Sequence, residues 1–136
     1  MNTSRRLKPL HRGFTLIEMS LVIGLLIALM STGIFFSSAI GTWKAGRDAS
    51  ETLRSVYVAQ RTFLADHPTT SMSSVSKSDL LPYIPGKPST FPTVEGLDGV
   101  VRDIKVTVSP PVVIDNTGIT YDPSGKPNDS LWDVGE

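Results

Sequence analysis

The hydrophobic residues of this chain are concentrated in one uninterrupted run near the N-terminus. From Met19 to Phe36 no residue is charged, and the only polar interruptions are Ser20, Ser31 and Thr32. Eighteen helical residues rise about 27 Å, close to the roughly 30 Å thickness of a bilayer's hydrocarbon core. Extension of the run to Ile40 leaves enough length for a tilted helix. The pattern therefore predicts a membrane-spanning helix over residues 14–40.

After this run the pattern becomes that of an amphipathic helix. Apolar side chains recur every three or four residues, which gives the helix one face suited to burial. This face comprises Ala49, Leu53, Val56, Tyr57, Gln60, Phe63 and Leu64. Pro68 ends the pattern, because it lacks an N–H group and disfavours helix in the residue before it. We therefore predict a single helix from about Phe14 to Asp66, whose outer part (41–67) packs against a globular head.

The remaining chain has the shorter periods of a small sheet. Residues 69–78 are polar and predict a loop, and Ser78 or Asp79 is a candidate to begin a short helical turn. Apolar residues alternate at Ile104, Val106 and Val108, as in a half-buried strand over 100–109. Shorter strands are predicted over PPVVID, GITYD and SLWDV. The predicted fold class is α+β: a long N-terminal helix on an antiparallel sheet of three or four strands within 95–136, in a head of residues 41–136.

Charge is distributed unevenly along the chain. The four basic residues before Phe14 lie in a leader (1–13) without any acidic residue; they are Arg5, Arg6, Lys8 and Arg12. The positive-inside rule therefore predicts a cytoplasmic N-terminus and an extracytoplasmic head. The rest of the chain has 9 basic side chains (13 less these four) against 13 acidic ones. Because phosphate binding depends on Lys and Arg, we expect no nucleic-acid partner.

The apolar run has three interpretations. A buried core helix is unfavoured, because soluble cores seldom supply so long a run beside a basic tail. A secretory signal peptide would account for Ser37-Ser38-Ala39 as a cleavage site, but the run exceeds the ~7–15 apolar residues typical of such signals. Glu18 also lies in its entrance. A retained, single-pass membrane helix fits best.

The residues that precede the run resemble a known processing signature. The sequence RGFTLIE, from Arg12 to Glu18, follows the basic leader and precedes the unbroken apolar helix. This arrangement resembles the N-terminal pattern of type IV pilins and of the pilin-like subunits (pseudopilins) of type II secretion systems. The resemblance covers residues 1–40, and residues 41–136 resemble the family only in layout. Many pilins carry a proline in mid-helix, whereas here none occurs before Pro68.

The resemblance implies a processed, polymerising subunit. A prepilin peptidase would cleave between Gly13 and Phe14 and methylate the new amine of Phe14. Glycine suits a backbone that a protease must approach closely, although a flexible junction would also explain it. The subunit would lie in the bacterial inner membrane and then polymerise into a type IV pilus or a type II secretion pseudopilus. Its partners would be the lipid bilayer, other pilin subunits and an inner-membrane assembly platform.

The acidic side chain of Glu18 has two interpretations. An unpaired charge in the apolar core of a filament would cost several kcal/mol, by analogy with the ~2.5–3.5 kcal/mol of a charge at mid-membrane. Cleavage would create an amine at Phe14, with which Glu18 would pair either on its own helix or on a neighbouring subunit. Pairing with the next subunit's amine would also select the assembly register. Alternatively, Glu18 is an N-terminal helix charge favoured by the dipole. The corresponding rival function is a monomeric membrane-anchored extracytoplasmic binding domain.

Candidates for catalysis and metal binding are few. His11 lies in the leader, His67 lies at a helix end, and no GxSxG, P-loop, HExxH or paired-histidine motif occurs; we therefore expect no enzyme. The chain also has no cysteine, which excludes disulfides and thiolate chemistry. Oxygen-bearing side chains are frequent near the C-terminus: Asp115, Asn116, Asp122, Asn128, Asp129 and Asp133. Secretion pseudopilins resemble this with an acidic calcium loop, yet Asp and Asn are also ordinary turn residues. Both alternatives stay open, and no metal ligand is assigned.

Overall fold

The computed structural model describes residues 13–135. The predicted basic leader, apart from Gly13, lies outside the described residues. The chain divides into two compact units, Met1–Ser38 and Ala39–Glu136. The first helix, α1, extends over Leu16–Asp66 and so contributes to both units, which are described in turn.

The described part of the first unit is the apolar beginning of α1. Every residue from 13 to 38 is exposed, and this part of α1 contains a stretch long and apolar enough to cross a membrane. The hydroxyls of Ser20, Ser31 and Thr32 donate to carbonyl oxygens of their own helix, each at 2.9 Å. Because polar groups in lipid must be satisfied internally, these bonds keep the helix surface compatible with hydrocarbon.

In the second unit α1 supplies one wall of the hydrophobic core. Ala49, Leu53, Val56, Gln60 and Phe63 are buried, whereas Tyr57 and Leu64 are half-buried at the edges of the same face. The predicted amphipathic face is therefore confirmed. α1 ends at Asp66, two residues before Pro68, as the missing N–H group of proline requires.

The opposite wall of the core is an antiparallel sheet of three strands. These are β1 (Val94–Glu95), β2 (Val101–Lys105) and β3 (Val112–Ile114), in the spatial order β1-β2-β3. Val94 pairs with Arg102, and Ile104 pairs with Val113. The chain thus has the predicted α+β class, with a long N-terminal helix packed on a small antiparallel sheet.

The central strand β2 is shorter than the strand predicted over 100–109. Its register with β3 ends at Lys105 and Val112. Continued pairing would place Pro111, which has no N–H to donate, opposite Val106. Val106 still faces the core, but Val108 is exposed, so the predicted inward alternation fails at its last position.

Two of the predicted short strands do not form. GITYD forms an isolated bridge between Thr120 and Ile114, flanked by hydrogen bonds from Asp115 N to Ile119 O and from Tyr121 N to Val113 O, but no strand. SLWDV is irregular, because Ser130 and Trp132 adopt φ angles of 63° and 66°, in the left-handed region that a strand cannot use. Hence the described residues contain three strands rather than four.

The short helical turn begins earlier than predicted. The second helix, α2, covers Lys77–Leu80, and its N-cap is Ser76 rather than Ser78 or Asp79. The hydroxyl of Ser76 accepts from Asp79 N, and the carboxylate of Asp79 accepts from Ser76 N, so the two residues form a capping box. Two 3-10 turns, Met72–Ser74 and Leu81–Tyr83, flank this helix.

The C-terminal residues are tied to α1. Arg54 donates from Nε to Val134 O at 2.6 Å and from a terminal nitrogen to Ser130 Oγ at 2.9 Å. Trp132 N donates to Gly46 O at 3.1 Å, and a Cβ at Gly46 would lie only 2.8 Å from the indole nitrogen of Trp132. Glycine at position 46 therefore lets the indole approach the helix closely. Trp132 is 3% exposed and is a core residue.

Candidate functional site

The candidate site is the segment from Gly13 to Glu18. Gly13, Phe14 and Thr15 precede α1 and are exposed, as is Glu18 in the first turn. The carbonyl of Thr15 accepts from Glu18 N at 3.1 Å and from Met19 N at 3.2 Å, which makes Thr15 the first residue bonded to the helix. The peptide bond between Gly13 and Phe14 therefore lies outside the helix.

A reciprocal pair of side-chain contacts defines this helix start. Glu18 N donates to Thr15 Oγ1 at 3.3 Å, and Thr15 N donates to Glu18 Oε2 at 3.4 Å. The sequence Thr-x-x-Glu with this pairing is a capping box, and its long distances mark weak bonds. The carboxylate of Glu18 consequently lies at the positive end of the helix dipole, where a negative charge is favoured.

The residues predicted at the cleavage site are accessible. Phe14 is 79% exposed, and apart from Gly13 and its two chain neighbours no residue has an atom within 4 Å of the position that a Cβ on Gly13 would occupy. Packing within the described residues therefore does not require glycine at position 13. A requirement for a minimal side chain would have to come from a partner that approaches this bond.

Glu18 has no oppositely charged partner within residues 13–135. The ion pairs there join Lys77 to Asp103 and Arg102 to Asp98. The geometry thus displays Glu18 as a helix-end charge, the second of its two interpretations. Pairing with an amine of another subunit is a property of an assembly and stays a prediction.

Comparison with protein-family models, with curated proteins and with solved structures finds no match for this chain. The residues themselves must support any functional assignment.

The acidic side chains near the C-terminus act mainly as local turn acceptors. Asp115 Oδ1 accepts from the backbone and hydroxyl of Thr117 and from Ile119 N, and the Thr117 hydroxyl bond is the main reason why the pKa of Asp115 is lowered. Asp122 Oδ1 accepts likewise from Ser124, and Asp133 accepts from Asp129 N. Within residues 13–135 no three His, Asp or Glu side chains are grouped so as to hold a metal ion.

His67 lies at the C-terminal end of α1. Its Nδ1 is 3.1 Å from Phe63 O, and its ring stacks on that of Phe63 with centroids 4.5 Å apart. An imidazole that meets the last carbonyls of a helix is a C-terminal cap, as the position before Pro68 predicts. The stacking on Phe63 and the Nδ1 contact are thus explained by packing and capping.

Sequence reasoning missed a charged cluster in the head. Arg102 is 9% exposed and lies on the inward face of β2 with Ile104. Its guanidinium carbon lies 3.6 Å from the ring centroid of Tyr121, and its two terminal nitrogens each donate to Asp98 at 2.7 Å. The stacking and the bidentate pair compensate for burial of the charge. The spacing Asp98-x-x-x-Arg102 was the available signal, but nothing in the sequence indicated that Tyr121 would cover the guanidinium.

Proposed function

We propose that this chain is a pilin-like structural subunit of a type IV pilus or a type II secretion pseudopilus. The observation that carries the proposal is the exposed cleavage-like segment Gly13–Phe14 immediately before an apolar helix that has Glu18 in its first turn. The head of a helix on a three-stranded antiparallel sheet is compatible with the layout of pilin heads.

The exposed apolar surface of α1 supports the proposal, because such a surface must be covered both before and after assembly. Large side chains from Leu16 to Phe36 are exposed along the helix. Contiguous apolar surface of this size marks a membrane or protein interface. A bilayer would cover it before assembly, and the helices of neighbouring subunits would cover it in a filament.

In this proposal Glu18 acts in assembly rather than in catalysis. Its carboxylate lies at the helix end nearest Phe14, where cleavage would create a cationic amine. An amine and a carboxylate withdrawn from water together in a filament core require each other, since an unpaired charge there costs several kcal/mol. When the amine belongs to the next subunit, only the correct axial register would satisfy both groups.

Processing is tested by mass spectrometry of the mature protein. We expect the mature chain to begin at Phe14 with one added methyl group on its amine. A chain that begins at Ile40 would establish a secretory signal peptide, and an uncut chain would refute processing at Gly13.

Assembly is tested by two variants that separate charge from helix capping. Glu18→Ala removes both, whereas Glu18→Gln retains an acceptor for Thr15 N but removes the charge. If register selection requires the charge, both variants should be cleaved and remain in the membrane fraction yet give little sheared filament. Filament yield restored by Glu18→Gln alone would assign Glu18 to capping, and wild-type yield from Glu18→Ala would exclude both roles.

The rival function is a monomeric, membrane-anchored binding domain. It shares the apolar helix and the head but does not need Glu18 to be paired. Co-expression with an assembly ATPase and a prepilin peptidase distinguishes the two, because only a pilin-like subunit should appear in the sheared fraction.

A further inference from the structure

Exposed apolar side chains lie on three neighbouring segments of the second unit. These segments are α1 at residues 40–43, the loop between β1 and β2 at residues 96–100, and the irregular chain at residues 123–131. We call these side chains the collar; they are Ile40, Trp43, Leu97, Val100, Pro123 and Leu131. Leu131 is half-buried and the others are exposed.

Two clefts show that the three segments are neighbours. One cleft is lined by Gly41, Lys44 and Ala45 of α1 together with Glu95, the last residue of β1, and Gly96, the first residue of the β1–β2 loop. The other is lined by Ala39, Thr42 and Trp43 together with Pro123 and Leu131. Both loops therefore flank the part of α1 with which the second unit begins.

The occupant of this surface is indicated by what precedes it in the chain. The second unit begins at Ala39, directly after the stretch of α1 that is apolar enough to cross a membrane. Trp43 is 57% exposed. Tryptophan is enriched at membrane–water interfaces, where its ring contacts lipid and its N–H group meets polar groups. The α1 part of the collar thus follows, in the chain, a stretch already suited to lipid.

The charges beside the collar indicate an apolar rather than an electrostatic contact. Lys44 lies in the same cleft as Asp48 and Glu95. Asp98, in the β1–β2 loop, is paired with Arg102 at 2.7 Å. This mixture of signs offers no basic patch of the kind that attracts anionic lipid headgroups.

We propose that the collar docks into the interfacial zone of the lipid bilayer, so that the head rests on the membrane before assembly. This inference depends on the membrane insertion included in the proposed function, and it applies equally to a pilin-like subunit and to a monomeric anchored domain. Docking would bury apolar side chains on lipid and hold the head near the bilayer surface.

The test uses the full chain in phosphatidylcholine vesicles. Because the chain has no cysteine, a nitroxide can be attached to a single introduced one: Leu97→Cys in the collar, Val58→Cys as control, or Leu26→Cys in the apolar stretch. Leu97 and Val58 are matched in exposure, at 45% and 52%, but Val58 lies four turns further along α1 than Trp43. Collision of each label with oxygen, which concentrates in lipid, is compared with collision with a water-soluble nickel chelate.

We expect the labels at 26 and 97 to favour oxygen and the label at 58 to favour the nickel chelate. Anionic lipid should leave the ratio at 97 unchanged, and Val100→Cys should reproduce the result if labelling at 97 disturbs the loop. A water-exposed label at 97 with a lipid-exposed label at 26 would overturn collar docking alone. A water-exposed label at 26 would overturn the membrane span as well. A label at 97 that is shielded from both reagents until the protein is diluted in lipid would assign the collar to a second copy of the chain.

Discussion

Replacement of Gln60 by glutamate would test how α1 holds the end of the sheet. Gln60 is fully buried, and its Nε2 donates to Val106 O at 2.9 Å and to Val108 O at 3.0 Å. These carbonyls lie beyond β2, where proline prevents further pairing with β3. Glutamate has nearly the same shape, but its carboxylate has no N–H group and would face two carbonyl oxygens.

The expected loss follows from these contacts. Each hydrogen bond contributes about 1 kcal/mol net, and each buried acceptor left unsatisfied costs about 1–3 kcal/mol. We therefore expect Gln60→Glu to lower the free energy of unfolding by at least about 3 kcal/mol at pH 7, a large share of the roughly 5–15 kcal/mol typical of a domain.

The loss should depend on pH in a definite direction. Burial opposite carbonyl oxygens raises the pKa of the introduced carboxyl above its ordinary value of about 4.3. The neutral acid has one O–H donor, so stability should be greatest below the unfolded-state pKa and should fall as pH rises through the folded-state pKa.

The measurement is urea unfolding of a fragment that begins at Gly41, monitored by circular dichroism at pH values from 4 to 8. Gln60→Met provides the uncharged control, because it removes the donor without adding a titratable group and should be destabilised equally at every pH. Val58→Glu adds a carboxylate on the exposed side of the same helix and should change stability by no more than about 0.5 kcal/mol. If Gln60→Glu had the wild-type urea midpoint at pH 7, the hydrogen bonds from Gln60 to Val106 O and Val108 O would not be what holds this end of the sheet to α1.

Two further variants probe the head. Leu53 is fully buried on α1, so a fragment that begins at Gly41 contains its own core and should be soluble, monomeric and cooperatively folded. Its Leu53→Asp variant should be unfolded, since an unpaired buried charge costs several kcal/mol. A normal melting transition of the variant would show that this face of α1 packs elsewhere. The hydrogen bonds from Arg102, and next from Val100 N, hold the pKa of Asp98 below its usual range. The ionised Asp98 carboxylate therefore contributes to folding stability above its ordinary pKa of about 3.9, and this contribution is lost as pH falls through the folded-state pKa. Asp98→Asn should therefore melt at a lower temperature at pH 7 and lose less stability than wild type on acidification, and an unchanged acid dependence would argue against the pair.

The helices and strands that are specified by the spacing of hydrophobic residues alone were predictable from the sequence. The length of α1, its buried face around Leu53 and the strand containing Ile104 follow from spacings of 3.6 and 2 residues. The end of β2 was not predictable by alternation, because it depends on which residue of the return strand faces Val106, and that residue is Pro111. Burial of Arg102 likewise depends on Tyr121, which is distant in sequence.

The candidate site divides in the same way. Thr15 and Glu18 lie three residues apart, so a capping box between them is a local consequence of sequence. The proposed cleavage at Gly13 and the proposed pairing of Glu18 with another subunit's amine would depend on other molecules, and the fold of a single chain contains neither. By composition the C-terminal carboxylates could be either turn acceptors or metal ligands. Asp115, Asp122 and Asp133 do accept from nearby backbone N–H groups, whereas a role as ligands would depend on an ion that is not part of the chain.

The short strands of the head have a consequence for how copies of the chain can associate. An exposed sheet edge is a template on which another chain can add a strand, and proteins blunt such edges with short strands and prolines. Here β1 has only two residues, and at the other edge Ile114 is already bridged by Thr120, with Pro110 and Pro111 just before β3. If many heads are crowded along a membrane or filament, as proposed, their sheet edges therefore offer little opportunity for edge-to-edge β aggregation, and ordered association would be left to the helix.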